Sequence, residues 1–319
     1  MVSQRPSDVL VVGAGVIGLT TAVCLAEAGA DVVVWTADPP RRTTSAVAGA
    51  MCGPTITGPD NPATGWSRAS DDAFQELASQ PGTGVHLVRG RLVSRSGGAL
   101  PPWASTVPGF APCTATEMPP GFGVGFWAEL PFADMPRYLD HLAGRLTPPG
   151  GRLELRAVSH LSEAAAAAPI IVNATGTGAR ALAPDNSVRA VKGQHVIVEN
   201  PGVDTFLYEG GSATAWTGIF PHGDRLVLGG VAVEDDWDRT PDPAVTEALL
   251  ARAAAAESRL VGARVLGVEV GLRPARPTVR LEEEAIGAVR CIHSYGHGRV
   301  GVTLSWGCAR EVTTLITEG

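Results

Sequence analysis

The sequence predicts an α/β protein: a Rossmann-like nucleotide-binding domain joined to a mainly antiparallel β domain. Three observations carry that prediction. An apolar run, Val9-Leu10-Val11-Val12, leads straight into Gly13-Ala14-Gly15-Val16-Ile17-Gly18 and a helical stretch. A second apolar run, Val32-Val33-Val34-Trp35, follows within about thirty residues, the span of a dinucleotide-binding strand–helix–strand unit. Between Gly193 and Gly230, strand-like segments succeed one another with no helical pattern between them, which implies antiparallel pairing.

Four apolar residues in a row from Val9 to Val12 fit a parallel strand covered on both faces. Gly13 permits the tight turn, Gly15 lets backbone amides approach a pyrophosphate, and Gly18 lets helix and strand pack closely. The helix N-terminus, through Ala14, Val16 and Ile17, presents unpaired N–H groups and a positive dipole end to the phosphates. Leu19, Ala22, Val23, Leu25 and Ala26 continue the helix, and Gly29 stops it. The second strand ends Thr36-Ala37-Asp38, where Asp38 is either a late ribose-binding carboxylate or a plain loop aspartate.

The hydroxyl-rich stretch Arg41 to Ala50 reads as a loop, suited either to phosphate and ring contacts or to no ligand at all. Residues 51–64, rich in Gly and Pro, mark an excursion from the nucleotide domain. Ser67 to Leu77 reads as a helix, Val85 to Val93 as strand and Pro101 to Pro120 as loop. Asp134 is placed to N-cap a helix that opens Met135-Pro136 and runs through Leu142 and Leu146. Ala164 to Ala168 reads as an alanine-rich helix, and Ile170-Ile171-Val172-Asn173 as a buried strand ending in Ala174-Thr175-Gly176. Strands are expected at 193–199, 205–208, 216–220 and 225–230. A helix capped by Asp242-Pro243 runs to about Arg259, with Val245, Leu249, Ala253 and Ala256 on one face. A last helix starts near Gly301 to Ser305 and runs to Ile316.

Composition narrows the function classes. The 319 residues carry a net charge of −7 and no Lys/Arg run, which argues against nucleic acid or an anionic membrane as partner. No apolar stretch reaches membrane-spanning length, and the short N-terminal lead into the first strand leaves no room for a signal peptide. Five scattered cysteines show neither CxxC nor Cys/His metal spacing, so no metal is expected and a reduced cytoplasmic enzyme is.

At the C-terminal end, Gly271-Leu272-Arg273-Pro274 precedes His293-Ser294-Tyr295-Gly296-His297-Gly298-Arg299. Together with Gly13 to Gly18, Thr43-Thr44-Ser45, Ala48-Gly49, Asn173-Ala174-Thr175-Gly176, Gly193-Gln194 and Leu228-Gly229-Gly230, this resembles the D-amino-acid oxidases, flavoenzymes that use FAD. The resemblance covers essentially the whole chain. It implies an FAD-binding domain from residues 1–54, 146–191 and 266–319, and a substrate domain from 55–145 and 192–265. It assigns FAD contacts to the glycine fingerprint and to Thr36, Ala37, Asp38, Thr43, Thr44, Ser45, Gly49, Ala50, Met51, Val158, Thr175, Gly176, Gly298, Gly301, Val302 and Thr303. It also implies that Arg273 pairs with a substrate carboxylate, for which a guanidinium supplies two parallel charge-assisted hydrogen bonds. The implied reaction is oxidative deamination of a D-amino acid. A hydride passes from Cα to flavin N5, O2 reoxidises the flavin, and the products are imino or keto acid, ammonia and hydrogen peroxide.

Arg299 and Phe220 complete the expected substrate-side set, with Arg276 and Arg280 read as surface or structural, and His293, Tyr295 and His297 as structural. The departures from the family pattern bear on substrate choice. Gly218 stands where a tyrosine is usual, and no lid-loop tyrosine has a clear counterpart; Tyr208 lies upstream and Trp216 is a guess. Ala50-Met51-Cys52-Gly53-Pro54 replaces a Gly-Leu-Trp-Gln-Pro stretch, and Arg299 replaces a small residue. These changes predict an enlarged pocket for substrates bigger than alanine, with an acidic or polar far end; alternatively Arg299 points to solvent and Trp216 or Phe220 fills the gap. An oxidase of glycine, an N-methyl amine or a biosynthetic amine is the enzymatic rival, and a flavin protein without turnover is the rival from another class. The partners expected are a small amino-acid or amine substrate and O2, with a homodimer as the candidate assembly.

Overall fold

The computed structural model describes residues 7–53, 61–147, 150–211 and 214–318. The opening unit is β1 (Val9–Val12), α1 (Val16–Glu27) and β2 (Val32–Thr36), as the glycine fingerprint requires. Next come α2 (Pro62–Ala78), β3 (Val85–Ser94), β4 (Ala111–Pro112), β5 (Val124–Ala133) and α3 (Met135–Leu146). The chain returns through β6 (Arg152–Leu155), α4 (Leu161–Ala165), β7 (Ile170–Asn173) and α5 (Ala179–Leu182). A run of strands follows: β8 (Arg189–Glu199), β9 (Phe206–Glu209), β10 (Ala215–His222), β11 (Arg225–Val231) and β12 (Val233–Glu234). Then come α6 (Pro243–Ala256), β13 (Val265–Ile286), β14 (Val289–His297) and α7 (Gly301–Glu318).

The nucleotide and antiparallel parts were expected as separate sheets. Among the described residues they are one continuous sheet in the order β4-β5-β3-β9-β10-β11-β8-β13-β14-β7-β1-β2-β6, with β12 on β8. The five strands β14, β7, β1, β2 and β6 run parallel. Pairing across β10, β11, β8, β13 and β14 is antiparallel. The join is β13, 22 residues long. Val265 to Ala275 pairs with β8, and after a shift in register Arg280 to Ile286 pairs with β14. Such a strand escapes sequence patterning because its two halves sit in different environments and share no periodicity.

Several local expectations change. Asp134 occupies the N-cap position of α3 but makes no side-chain cap. Its buried carboxylate pairs instead with Arg225 at 2.8 Å and Arg137 at 3.5 Å, stronger partners than a backbone amide. Asp242 does cap α6, accepting from the Ala244 N–H, but that helix ends at Ala256 and a 3-10 turn covers Ser258–Leu260. The alanine-rich helix lies earlier than expected, at Leu161–Ala165. The loop at 41–50 winds into 3-10 turns at Pro40–Arg42 and Thr44–Val47, and the proline-rich loop carries another at Pro102–Thr106 as well as β4. Residues 1–6, residues 54–60 of the Gly/Pro excursion and Pro54 itself lie outside the described residues.

Helices α1, α2, α3 and α7 share one apolar core with β1 and β2, built on Leu19, Leu25, Phe74, Leu77, Tyr138, Leu142 and Trp306. Within it the Trp306 indole donates to the Tyr138 hydroxyl at 2.8 Å. Both α2 and α3 come from the 55–145 stretch expected on the substrate side, whereas β3 and β5 of that stretch extend the sheet beyond β9, β3 pairing parallel with β9 and antiparallel with β5.

Candidate active site

Between the parallel strand ends and the antiparallel half runs one cavity of about 900 Å³. Its nucleotide end is built from main chain. Gly13, at φ +112°, turns the chain so tightly that a Cβ there would sit 2.4 Å from the Ala174 carbonyl oxygen. Helix α1 begins at Gly15 with no capping side chain of its own, and Ser45 Oγ accepts the Val16 N–H at 2.9 Å. The helix end therefore faces the cavity with a positive dipole and amides available to an anion. Gly18 is not in the cavity wall; a Cβ there would lie 1.8 Å from the Gly13 carbonyl oxygen, so it is the close-packing glycine.

The remaining expected nucleotide-side residues come together. Ala14, Gly15, Val16, Ile17, Thr36, Ala37, Asp38, Thr43, Thr44, Ser45, Gly49, Ala50, Met51, Val158, Thr175, Gly176, Gly298, Gly301, Val302 and Thr303 all line this cavity with Gly13. Thr175 is oriented from behind. Asn173 Oδ1 accepts from the Thr175 hydroxyl at 2.7 Å and its N–H at 3.3 Å, and Asn173 Nδ2 meets His293 Nδ1 at 3.1 Å. Because Asn173 Nδ2 can only donate, His293 Nδ1 accepts, and Nε2 carries the proton toward Glu284, 3.0 Å away. His293 and Tyr295 are thus both held by side-chain hydrogen bonds, Tyr295 donating to Asp185 at 2.9 Å, and Tyr295 and His297 also line the cavity. Arg276 and Arg280 are held in ion pairs with Asp185 and with Glu282 and Glu284.

The far end is built from side chains. Arg273, on β13, lies flat across Gly193 of β8, where a Cβ would be 2.3 to 2.4 Å from its guanidinium. Nη1 donates to the Val231 carbonyl at 3.1 Å, and among the described residues no carboxylate pairs with it. Burial, helped by the nearby charge of Arg299 and opposed by Tyr208, lowers its pKa to about 10, which still leaves it charged at neutral pH. Trp216, on β10, lies with its ring centre 5.9 Å from the Arg273 guanidinium carbon and 4.3 Å from that of Arg299. Arg299 therefore lines the cavity while staying exposed to solvent, which places it at the rim.

The enlarged pocket is corrected. A Cβ at Gly218 would lie 2.7 Å from the Phe220 ring, so Phe220 already fills the space that a tyrosine would use. Leu130 lies 3.4 Å from the corresponding point at Gly53, closing that side too. Tyr208 stands directly across from Gly218 on the neighbouring strand and stacks on Phe220 at 6.4 Å between ring centres. It brings a phenol to the cavity from β9, a substitution between strands that no local motif reveals. Cys52 is buried and bonds weakly to the Ala50 carbonyl oxygen at 3.5 Å; it is absent from the cavity wall.

Several cavity residues were missed, Arg156, Arg239 and Leu130 among them, and the most informative is a histidine. His195, buried on β8, is tied at 2.7 Å to the Val47 carbonyl oxygen, so Nδ1 carries the proton. Burial, then the charge of Arg273, lowers its pKa to about 4 against the pull of that bond, and the ring is neutral. The period-two rule for strands held the signal: if Gly193 faces the cavity, so does His195.

Comparison with known proteins agrees with this geometry. Residues 8–315 match the family model described as FAD dependent oxidoreductase. A D-amino-acid oxidase of Streptomyces coelicolor is 46% identical over 316 residues, covering 98% of this chain and 97% of that protein. A D-amino-acid oxidase of Rubrobacter xylanophilus is 47% identical over 308 residues, covering 96% and 94%. Among solved structures, glycine oxidase from Geobacillus kaustophilus superposes with a TM-score of 0.82 at 22% identity, covering 99% of this chain and 95% of that one, a likeness of fold. The cradle described above suits FAD: the α1 N-terminus would offer its amides and positive dipole to a diphosphate, and Gly15 leaves the main chain open to it. This chain belongs to the FAD-dependent oxidoreductase family, and FAD is its cofactor.

Proposed function

We propose that this enzyme oxidises D-amino acids: one amino acid, one O2 and one water give a 2-oxo acid, ammonium and hydrogen peroxide. The observation that carries the reading is Arg273, a guanidinium lying in the cavity with no carboxylate partner among the described residues. The two bacterial relatives, both D-amino-acid oxidases over nearly their whole length, support it.

When bound, FAD supplies the two-electron acceptor between the Cα–H bond and O2. The chain supplies position and environment. Arg273 takes the substrate carboxylate through two parallel N–H groups, and the bond to Val231 fixes the rotation of the fork. Tyr208 offers the second polar contact that Gly218 cannot. Phe220, Leu130 and Met51 present apolar surface that keeps water from the reacting carbon. His195 holds the Thr44–Val47 turn against β8 through its bond to Val47. In this reading residues 1–54, 146–191 and 266–319 bind the cofactor, with Gly13 to Gly18, Thr43 to Ser45 and Gly298 to Thr303 nearest to it, and Arg273, Arg299 and Phe220 face the substrate. Five unpaired cysteines favour a reducing cytoplasm, and a homodimer is part of the same reading. Among the described residues no helix is long and apolar enough to cross a membrane.

A peroxide assay of the FAD-loaded enzyme across D-amino acids, their L-enantiomers, glycine and sarcosine tests the proposal. D-amino acids should give the highest kcat/KM. Turnover confined to glycine or sarcosine, or none with any amine, would overturn it.

A further inference from the structure

The cavity and the chain carry opposite charge. The chain has 25 Lys and Arg against 32 Asp and Glu, yet the cavity wall holds five arginines and one carboxylate. The arginines are Arg42, Arg156, Arg239, Arg273 and Arg299, and the carboxylate is Asp38. Arg156 belongs to the nucleotide end, 3.6 Å over the Trp35 ring next to Thr36 and Asp38. Arg42, Arg156, Arg239 and Arg299 are exposed at the cavity's edges, and Arg273 is the one drawn inward.

At the far end two of these arginines meet. Arg273 and Arg299 share the Trp216 ring, so two like charges are held close together. The acidic segment at 235–238 is engaged elsewhere, Asp235 pairing with Arg189, and Asp236 and Asp238 with Lys192. Trp216 is itself fixed from beneath: a Cβ at Gly230 would lie 2.2 Å from the indole, so the ring lies flat on the sheet. A positioned indole under an arginine restricts where its charge can go. Arg273, set inward, and Arg299, at the exposed rim, have no carboxylate partner among the described residues, and a ligand carrying two anions would meet both.

We propose that Arg299 is a specificity-determining residue that selects D-amino acids with a second carboxylate on the side chain. Arg273 holds the α-carboxylate and Arg299 the distal one, with Trp216 setting their separation. This rests on the oxidase reading and narrows its substrate class.

The test compares isosteric pairs on the FAD-loaded enzyme, D-glutamate with D-glutamine and D-aspartate with D-asparagine, at low ionic strength. At least one acid should exceed its amide in kcat/KM by about tenfold or more, and Arg299→Met should bring that ratio down by about tenfold. Succinate should likewise inhibit the wild-type enzyme about tenfold more tightly than butyrate, a measurement that needs no variant. Amides preferred over both acids, or an acid-to-amide ratio that Arg299→Met leaves as it was, would overturn the proposal while leaving the oxidase reading intact. If no D-amino acid is oxidised, both fall.

Discussion

At its nucleotide end the cavity is walled by main chain, and at its far end by side chains that cross between strands. Gly13, Gly15 and the first turn of α1 place amides and a dipole, and the side chains there serve mainly by being absent. Arg273, Trp216, Phe220, Tyr208 and Arg299 reach the other end from β13, β10, β9 and the turn before α7, each resting on a neighbour's glycine or ring. A main-chain site should therefore fail when a Cβ is added, and a side-chain site when a functional group is removed or displaced. The contrast can be broken at either end.

The largest effect is expected at Gly18. Valine there would drive a branched side chain into the Gly13 carbonyl, which is backbone and cannot step aside. Gly18→Val should yield protein with no stoichiometric flavin, read as the ratio of visible to ultraviolet absorbance. A yellow variant with full FAD content would show that the α1–β1 packing is not what builds the cradle.

That same asymmetry decides what was legible in the sequence. The fingerprint could be read because backbone geometry dictates residue type at short, fixed spacings, whereas the Thr43–Ser45 stretch and the Gly298–Thr303 contacts rest on the family resemblance. The far end could be read only in part. Gly218 announces a missing phenol, but its replacement by the Phe220 ring and by Tyr208 depends on strand register, which no single segment encodes. Nor could the separate-sheet expectation survive β13, whose halves pair with β8 and β14 in turn. Asp134 shows the same limit on a smaller scale, since its partner Arg225 is distant in the chain.

Gly193→Ala is the next largest change. Its methyl would occupy the place where the Arg273 guanidinium lies, so the arginine must swing away. kcat/KM for the best D-amino acid should fall by about 10- to 100-fold, mostly through KM, while the flavin content stays near stoichiometric. Unaltered kinetics would mean that the guanidinium binds substrate from another position.

Acid should weaken the fold through its buried imidazoles. Burial, with smaller charge effects, holds His195, His222 and His297 at pKa values of about 4 in the folded protein, against an ordinary value of 6.5. The unfolded chain then binds more protons between these limits. Stability should be complete above about pH 6.5 and fall as the pH drops toward 4, by about 1 kcal/mol per pH unit for each histidine that stays neutral. Urea midpoints across that range measure it. A flat profile would show that the imidazoles are protonated in the fold.

A smaller effect is expected for Gly218→Tyr. The new ring meets Phe220 in a filled space, so it should lower the Tm by a few degrees, about 1–3 kcal/mol of overpacking, and should not improve turnover of D-alanine. Improved turnover would restore the open-pocket reading.

The division between the two ends is tested most directly by one variant measured two ways. Arg273→Ala removes the guanidinium that the far end is built around and touches nothing in the α1 cradle. Its FAD dissociation constant should remain within about threefold of wild type, while kcat/KM for the best D-amino acid should drop by about a thousandfold or more, with Arg273→Lys recovering only part of it. Loss of FAD together with activity, or turnover that survives the substitution, would contradict the account.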